Sequence, residues 1–179
     1  MLITQRLIIR RFTENDYMDL FEYLSNPEVV SFEPYSTLDI EQCRREAINR
    51  SKSEAFWAVC LKDNNKLIGN LYFEKEGEEE FDSYEVGYVF NKSYQGKGYA
   101  TEALRELLRY GFEELMAHRI MAMCDPKNIP SFRLLERVNM RREGHLMKNV
   151  YFRLDKEGYP IWKDTYIYAL LDEEWIRIR

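Results

Sequence analysis

Residues 83–90 read SYEVGYVF, residues 91–98 read NKSYQGKG, and residues 99–104 read YATEAL. Apolar and polar side chains mix along the first segment as they do on a half-buried strand, and Gly87 inside it predicts a bulge or a close backbone approach. From Gly98 to Ala117 the residues Ala100, Ala103, Leu104, Leu107, Leu108, Gly111, Phe112 and Leu115 recur at steps of three and four, which predicts one long amphipathic helix. A strand, a glycine turn and a helix start in succession leave the amides of the first helical turn unpaired at the positive end of the helix dipole. Gly96 and Gly98 keep side chains out of the way, so the stretch predicts a seat for a phosphate-bearing anion.

Three phosphate motifs compete for it. A nucleotide-triphosphate loop needs Ser or Thr after its Gly-Lys pair, but Lys97 is followed by Gly98, so the magnesium-binding hydroxyl is missing. A dinucleotide fingerprint needs a third glycine where Thr101 stands, and an acid about twenty residues on, where His118 and Arg119 stand instead. What remains is a loop that runs Gln95, Gly96, Lys97, Gly98, Tyr99, Ala100, with a glutamine three residues before the second glycine.

Outward from this core, Leu2 to Phe12 reads as an opening strand. Thr13 caps a helix whose inner positions are Tyr17, Leu20, Phe21 and Leu24, stopped by Asn26 and Pro27. A second helix is predicted from Asp39 to Ser53, with Asp39 and Gln42 at capping-box spacing. Phe56–Leu61 and Lys66–Phe73 flank KDNN as a hairpin, Glu74 to Asp82 is a loop, and Arg119–Cys124 is a short strand. Asn128 or Pro130 opens a helix through about Arg137, and Val150–Leu154 and Trp162–Leu171 are strands joined by the turn DKEGYP. No repeat or linker divides the chain, so residues 1–179 are expected to form one mixed α/β domain.

The 179 residues carry 26 Lys and Arg against 31 Asp and Glu, a net charge of −5. Glu74 to Asp82 alone holds six acids against one lysine, so the rest is close to neutral. Such a balance argues against a nucleic-acid surface and favours cationic substrates, which the acidic segment can attract weakly. Apolar runs are too short to span a bilayer and the first residues lack the order of a signal peptide, so a cytoplasmic protein is expected. Cys43, Cys60 and Cys124 have no CxxC spacing, and His118 and His145 have no ligand-spaced partners; reduced thiols, helix-end or loop histidines and no metal follow.

The loop from Gln95 to Ala100 matches the Q/R-x-x-G-x-G/A pyrophosphate motif of the GNAT N-acetyltransferases. The resemblance extends over nearly the whole chain: TQRLIIRRF at the start, YEVGYVFNKSYQGKGYATEAL in the middle, CDPKNIPSFRLLERVNM and the closing WKDTYIYALL. The chain looks like the branch that includes ribosomal-protein serine and alanine N-terminal acetyltransferases. This resemblance implies a single-domain fold with a strongly bent, mixed, mostly antiparallel sheet flanked by helices. It also implies direct acetyl transfer from acetyl-CoA, as co-substrate, to a primary amine. A protein N-terminus is favoured as acceptor, with a polyamine, another small amine or an antibiotic as alternatives, and the chain can be a monomer or a homodimer.

The resemblance further assigns tasks to residues. Gly87 fits a bulge that splays its strand from Arg119–Cys124 to admit pantetheine. Main-chain groups of Tyr88, Val89 and Phe90 should bond the pantetheine arm, one amide polarising the thioester carbonyl, and amides from Gln95 through Gly96, Lys97, Gly98, Tyr99 and Ala100 to Thr101 should hold the pyrophosphate. Glu85 is the candidate base, against the alternative of an exposed strand carboxylate. Many members carry a tyrosine where this chain has Leu135; here Ser131 is the candidate proton donor and Asn128 a cofactor contact, against plain roles as a first-turn hydroxyl and a helix cap. Asp164 matches a recurrent aspartate of the acceptor site, or else forms a turn. Asn139 and Met140 replace the usual glycine and aromatic, and Asn tolerates the left-handed turn required there. The missing tyrosine keeps open a rival of another class, a non-catalytic acyl-CoA-binding module.

Overall fold

The computed structural model describes residues 1–179. Eight strands form one sheet: β1 (Leu2–Ile3), β2 (Leu7–Arg11), β3 (Phe56–Leu61), β4 (Leu67–Lys75), β5 (Ser83–Phe90), β6 (Arg119–Cys124), β7 (Arg141–Leu154) and β8 (Pro160–Leu171). Five helices cover it: α1 (Tyr17–Leu24), α2 (Ile40–Ser51), α3 (Tyr99–Arg109), α4 (Ile129–Arg137) and α5 (Asp172–Ile178). The strand order is β1-β2-β3-β4-β5-β6-β8-β7, and every neighbouring pair is antiparallel except β5 and β6. No helix is long and apolar enough to cross a membrane.

The parallel pair is what matters for the site. The crossover through α3 brings β6 alongside β5, but pairing covers only Ser83–Glu85 against Arg119–Met121 and then stops. Past Glu85 the two strands part. The expected bulge at Gly87 is absent: β5 keeps unbroken register with β4 from Lys75 opposite Tyr84 to Gly69 opposite Phe90. The strand therefore splays because it loses its parallel partner, not because it gains a residue.

Alternation along β5 divides the core. Val86 and Phe90 pack with Leu104, Leu107, Leu108 and Leu134 beneath α3 and α4, whereas Val89 packs with Leu20, Tyr23, Leu24 and Ala47 beneath α1 and α2. Each fully buried leucine of α3 contributes roughly 1.5–3 kcal/mol by leaving water. Between the central strands there is no room to spare: a β-carbon on Gly69 would lie 2.6 Å from Phe90 Cδ1 and 2.7 Å from the Val89 carbonyl oxygen. Gly69→Ala is therefore expected to lower unfolding stability by about 1–3 kcal/mol, because β5 must move to admit the methyl group. Urea unfolding checks it, and an unchanged midpoint would show that the sheet yields freely there.

Several boundaries differ from the sequence reading. The opening strand is two strands turned at Thr4, whose amide donates to Leu7 O and whose hydroxyl accepts from Leu7 N–H. The long helix is α only to Arg109 and then widens into a π-turn over Tyr110–Glu114. There Gly111 lies against the sheet, where a β-carbon would come within 2.7 Å of Ile120 and 2.9 Å of Phe73. β4 continues through Lys75, and β7 starts at Arg141 rather than Val150. Helix α5 was not expected; Trp175 stacks on Phe112 and donates from Nε1 to Glu113 at 3.0 Å. The Asp39–Gln42 capping box is present in both directions, at 2.7 and 2.8 Å, and Asn139 takes the left-handed turn with φ +66°.

Candidate active site

A cleft of about 1190 Å³ opens where β5 and β6 part. Glu85, Tyr88, Val89, Phe90, Gln95, Gly96, Gly98, Tyr99, Ala100, Thr101, Asn128 and Ser131 all line it; of the expected residues only Lys97 does not. The Lys97 ammonium turns back to the Ser93 carbonyl at 2.9 Å, which leaves that residue's backbone as its link to the loop.

The glycine loop is built as an amide cradle. Gly96 and Gly98 have φ of +73° and +82°, in the left-handed region that favours glycine. Nothing lies within 4 Å of a β-carbon built on Gly96, so its freedom concerns conformation and not crowding. The first helical bond of α3 runs from Glu102 N–H to Gly98 C=O at 3.0 Å, which leaves the amides of Tyr99, Ala100 and Thr101 as the orphan donors of the helix start. The loop is braced from both sides. Gln95 Nε2 donates to Phe90 O at 2.9 Å, and Arg6 donates to Lys97 O at 3.0 Å while its guanidinium covers the Tyr99 ring. Glu102 in turn accepts from Thr4 Oγ1, Arg6 N and Arg6 Nε, locking the β1–β2 turn onto α3. Arg137, one helical turn beyond Arg133 on α4, reaches Thr101 Oγ1 at 3.2 Å, and both arginines line the cleft.

Strand β5 supplies the other wall. Asn91 N–H donates to Ile68 O, so by alternation the main chains of Val89 and Gly87 face β4, while Tyr88 and Phe90 face the open side. By the same alternation the amide and carbonyl of Val89 face the sheet, although the residue lines the cleft. Tyr88 N–H, Tyr88 C=O and Phe90 N–H have no strand opposite them.

The Tyr88 side chain crosses the floor of the cleft. Its hydroxyl lies 3.0 Å from both the carbonyl oxygen and Oγ of Ser131. A phenol has one hydrogen, so when it donates to the carbonyl, the Ser131 hydroxyl donates to the phenol oxygen. Cys124 lies beside this pair with its thiol pushed up to about 11 by burial, which keeps it an unreactive SH at neutral pH. Asn128 is the cap of α4, its Oδ1 accepting from Ser131 N–H at 3.3 Å.

Glu85 faces the α1–α2 side of the sheet, as Val89 does two pairs along the strand, and it has no ion-pair partner within 4 Å. Burial raises its carboxyl above the ordinary range, and the charges of Glu76 and Glu74 raise it further. The acidic segment thus acts on this carboxylate directly. Asp164 sits within β8, and its two oxygens hold Lys148 N–H and His145 Nε2, both at 2.9 Å. That bridge spans the register shift between Leu146 and Val150, where Lys148 has φ +46°. His145 is accordingly a strand residue and not a loop one.

Other cleft residues were not foreseen. Phe32 and Glu33 come from the α1–α2 segment, 25–39, and Asp125 and Lys163 form a pair at 2.9 Å that joins the end of β6 to β8. Arg133 and Arg137 had a usable signal in their one-turn spacing; Phe32 and Glu33 had none, since nothing periodic surrounds them.

Comparison with known proteins agrees with this geometry. Residues 6–141 match the model of the Acetyltransferase (GNAT) domain. The chain is 40% identical over 176 residues to the uncharacterized N-acetyltransferase YnaD of Bacillus subtilis (strain 168), covering 97% of this chain and 98% of that protein. It is 28% identical over 184 residues to the [ribosomal protein uS5]-alanine N-acetyltransferase of Escherichia coli (strain K12), covering 97% and 92%. A crystal structure of a GNAT-family acetyltransferase from Bacillus anthracis superposes with a TM-score of 0.88 at 38% identity, covering 97% of this chain and 99% of that one. A splayed parallel pair, a glycine cradle at the start of the intervening helix and a family match over most of its length together mean that this chain belongs to the GNAT acetyltransferases.

Proposed function

We propose that the protein moves the acetyl group of acetyl-CoA directly to a primary amine, as a cytoplasmic enzyme. The observation that carries this reading is the meeting, in one cleft, of unpaired helix-start amides with unpaired main-chain groups of a splayed strand. The cradle from Gln95 to Thr101 suits a diphosphate, because it offers amides and a helix dipole without β-carbons at its two glycines, and Arg133 and Arg137 supply positive charge beside it. The free groups of Tyr88 and Phe90 suit an amide-rich arm, which can add to the sheet edge as a strand would.

In the reaction the amine nitrogen attacks the thioester carbonyl carbon, the C–S bond breaks, and the amine proton passes to a base. Glu85 is that base: it is a half-buried, unpaired carboxylate whose raised pKa brings it closer to the working pH. An amide of β5 polarises the carbonyl, and the departing thiolate takes a proton from Ser131; solvent returns a proton to Ser131 as Glu85 releases the one it took from the amine, so the transfer has no net proton change. Ser131→Ala is expected to lower kcat roughly threefold to thirtyfold while leaving acetyl-CoA affinity alone, since a thiol of pKa about 8.5 can leave without an acid. Single-turnover rates on a fixed amine check it, and an unchanged rate would return Ser131 to its place as a first-turn hydroxyl.

The sequence resemblance favours a protein N-terminus as acceptor, and the relative from Escherichia coli acts by its name on an alanine of a ribosomal protein. The carboxylates of the cleft favour a small cationic amine, as argued below. The deciding experiment measures release of the CoA thiol across a panel of amines and amino-terminal peptides. Turnover with some member supports transfer; tight acetyl-CoA binding with no turnover on any would leave an acyl-CoA-binding module.

A further inference from the structure

Most of the cleft's charged side chains are paired. Lys163 is held by Asp125 at 2.9 Å, Lys92 by Glu28 at 3.2 Å, and both oxygens of Asp164 are taken. Glu33 and Glu85 are the cleft carboxylates left without a cation within 4 Å. Both are partly desolvated, which makes an unpaired negative charge costly and a cationic ligand welcome.

Glu33 is also firmly placed. Its amide donates to Val30 O at 3.1 Å, Val30 is buried in the core beneath α1 and α2, and Arg153 of β7 reaches the carbonyls of Val30 and Ser31 at 3.3 and 3.5 Å. Behind the segment stands Arg50, only 4% exposed, bonded to Glu46 and with Nη1 unpartnered; its charge and that of Lys163 act on Glu33 without pairing with it, and Tyr35 hydrogen-bonds the carboxylate. In front, Phe32 and Phe152 flank the Lys163 ammonium at 5.2 and 5.7 Å and, with Val150, give the cleft apolar walls. Two unpaired carboxylates and an apolar lining in one cleft match a molecule with two positive ends and a methylene chain between them.

We propose that Glu33 is the specificity-determining residue of the acceptor site: its carboxylate seats a second ammonium group of the acceptor, which makes the substrate class aliphatic diamines and polyamines. One amine then reacts near Glu85 while the other is held at Glu33. This inference rests on the acetyl-transfer reading.

The test uses the full chain saturated with CoA and titrates into it straight-chain α,ω-diamines of three to six methylenes, each beside the monoamine of the same length. A charge-assisted contact predicts that the best diamine binds about tenfold to a hundredfold more tightly than its monoamine. Glu33→Gln is expected to remove that preference, and in the coupled assay to raise KM for the diamine with little change in kcat. Glu28→Gln, on the same segment but exposed and paired with Lys92, is expected to keep it. Equal binding of diamines and monoamines by the natural chain, or a preference that survives Glu33→Gln in a folded variant, overturns the inference. Failure to bind CoA at all overturns the acetyl-transfer reading instead, so the two failures are distinct.

Discussion

Gly98→Asp is expected to weaken acetyl-CoA binding at least about a hundredfold, equivalent to roughly 2.7 kcal/mol, while leaving the fold intact. Gly98 is the N-cap of α3. An aspartate there places a carboxylate beside the amides that the diphosphate needs, and the two negative groups repel. The left-handed φ of +82° costs an aspartate on the order of 1 kcal/mol, so thermal unfolding should move by only a few degrees. Gly98→Ala separates strain from charge: it meets Arg6 Nη2 at 3.3 Å and should weaken binding far less. If the aspartate variant binds acetyl-CoA normally, the anion does not sit at this helix start.

Glu85→Gln is expected to lower kcat at neutral pH about a hundredfold, within the range that general-base groups supply, with acetyl-CoA affinity unchanged. Glutamine keeps the volume and removes only the proton acceptor. The pH profile carries a second signature. A base must be ionised to act, so turnover should fall as pH drops through the Glu85 pKa, and that acid limb should lie above the ordinary carboxylate range because burial, then Glu76 and Glu74, raise it. Replacing Glu74 and Glu76 together by glutamine removes two repelling charges. The carboxylate then ionises more easily, and the acid limb should move to lower pH. A profile indifferent to these charges, or full turnover in Glu85→Gln, would assign the proton to water or to another group.

The parts of the fold that were legible in the sequence are those where one physical demand dominates. Helix α3 shows its buried stripe at every third or fourth position, the Asp39–Gln42 box marks the start of α2, and Asn139 stands where a left-handed turn favours glycine or asparagine. The cradle was legible for the same reason, since glycines before a helix have few other uses. Illegible stretches are those where solvent or tertiary contact decides. Residues 141–149 of β7 are exposed on both faces, so no alternation marks them as a strand. Helix α5 reads as a charged end, and only Trp175 against Phe112 gives it a core. Gly87 marks the strand that splays, but the gap comes from the end of the β5–β6 pairing, a long-range fact with no local signature. Glu33 belongs to the same group, because its meaning depends on which side chains the fold gathers around the cleft, the Lys163–Asp125 pair among them.

On the proposed reading the opening between β5 and β6 holds acetyl-CoA. Isothermal titration of ligand-stripped protein with acetyl-CoA, CoA and NADH side by side is then expected to show saturable one-to-one binding of both CoA species and none of NADH. Binding of NADH in their place, or of neither CoA species, would overturn that assignment.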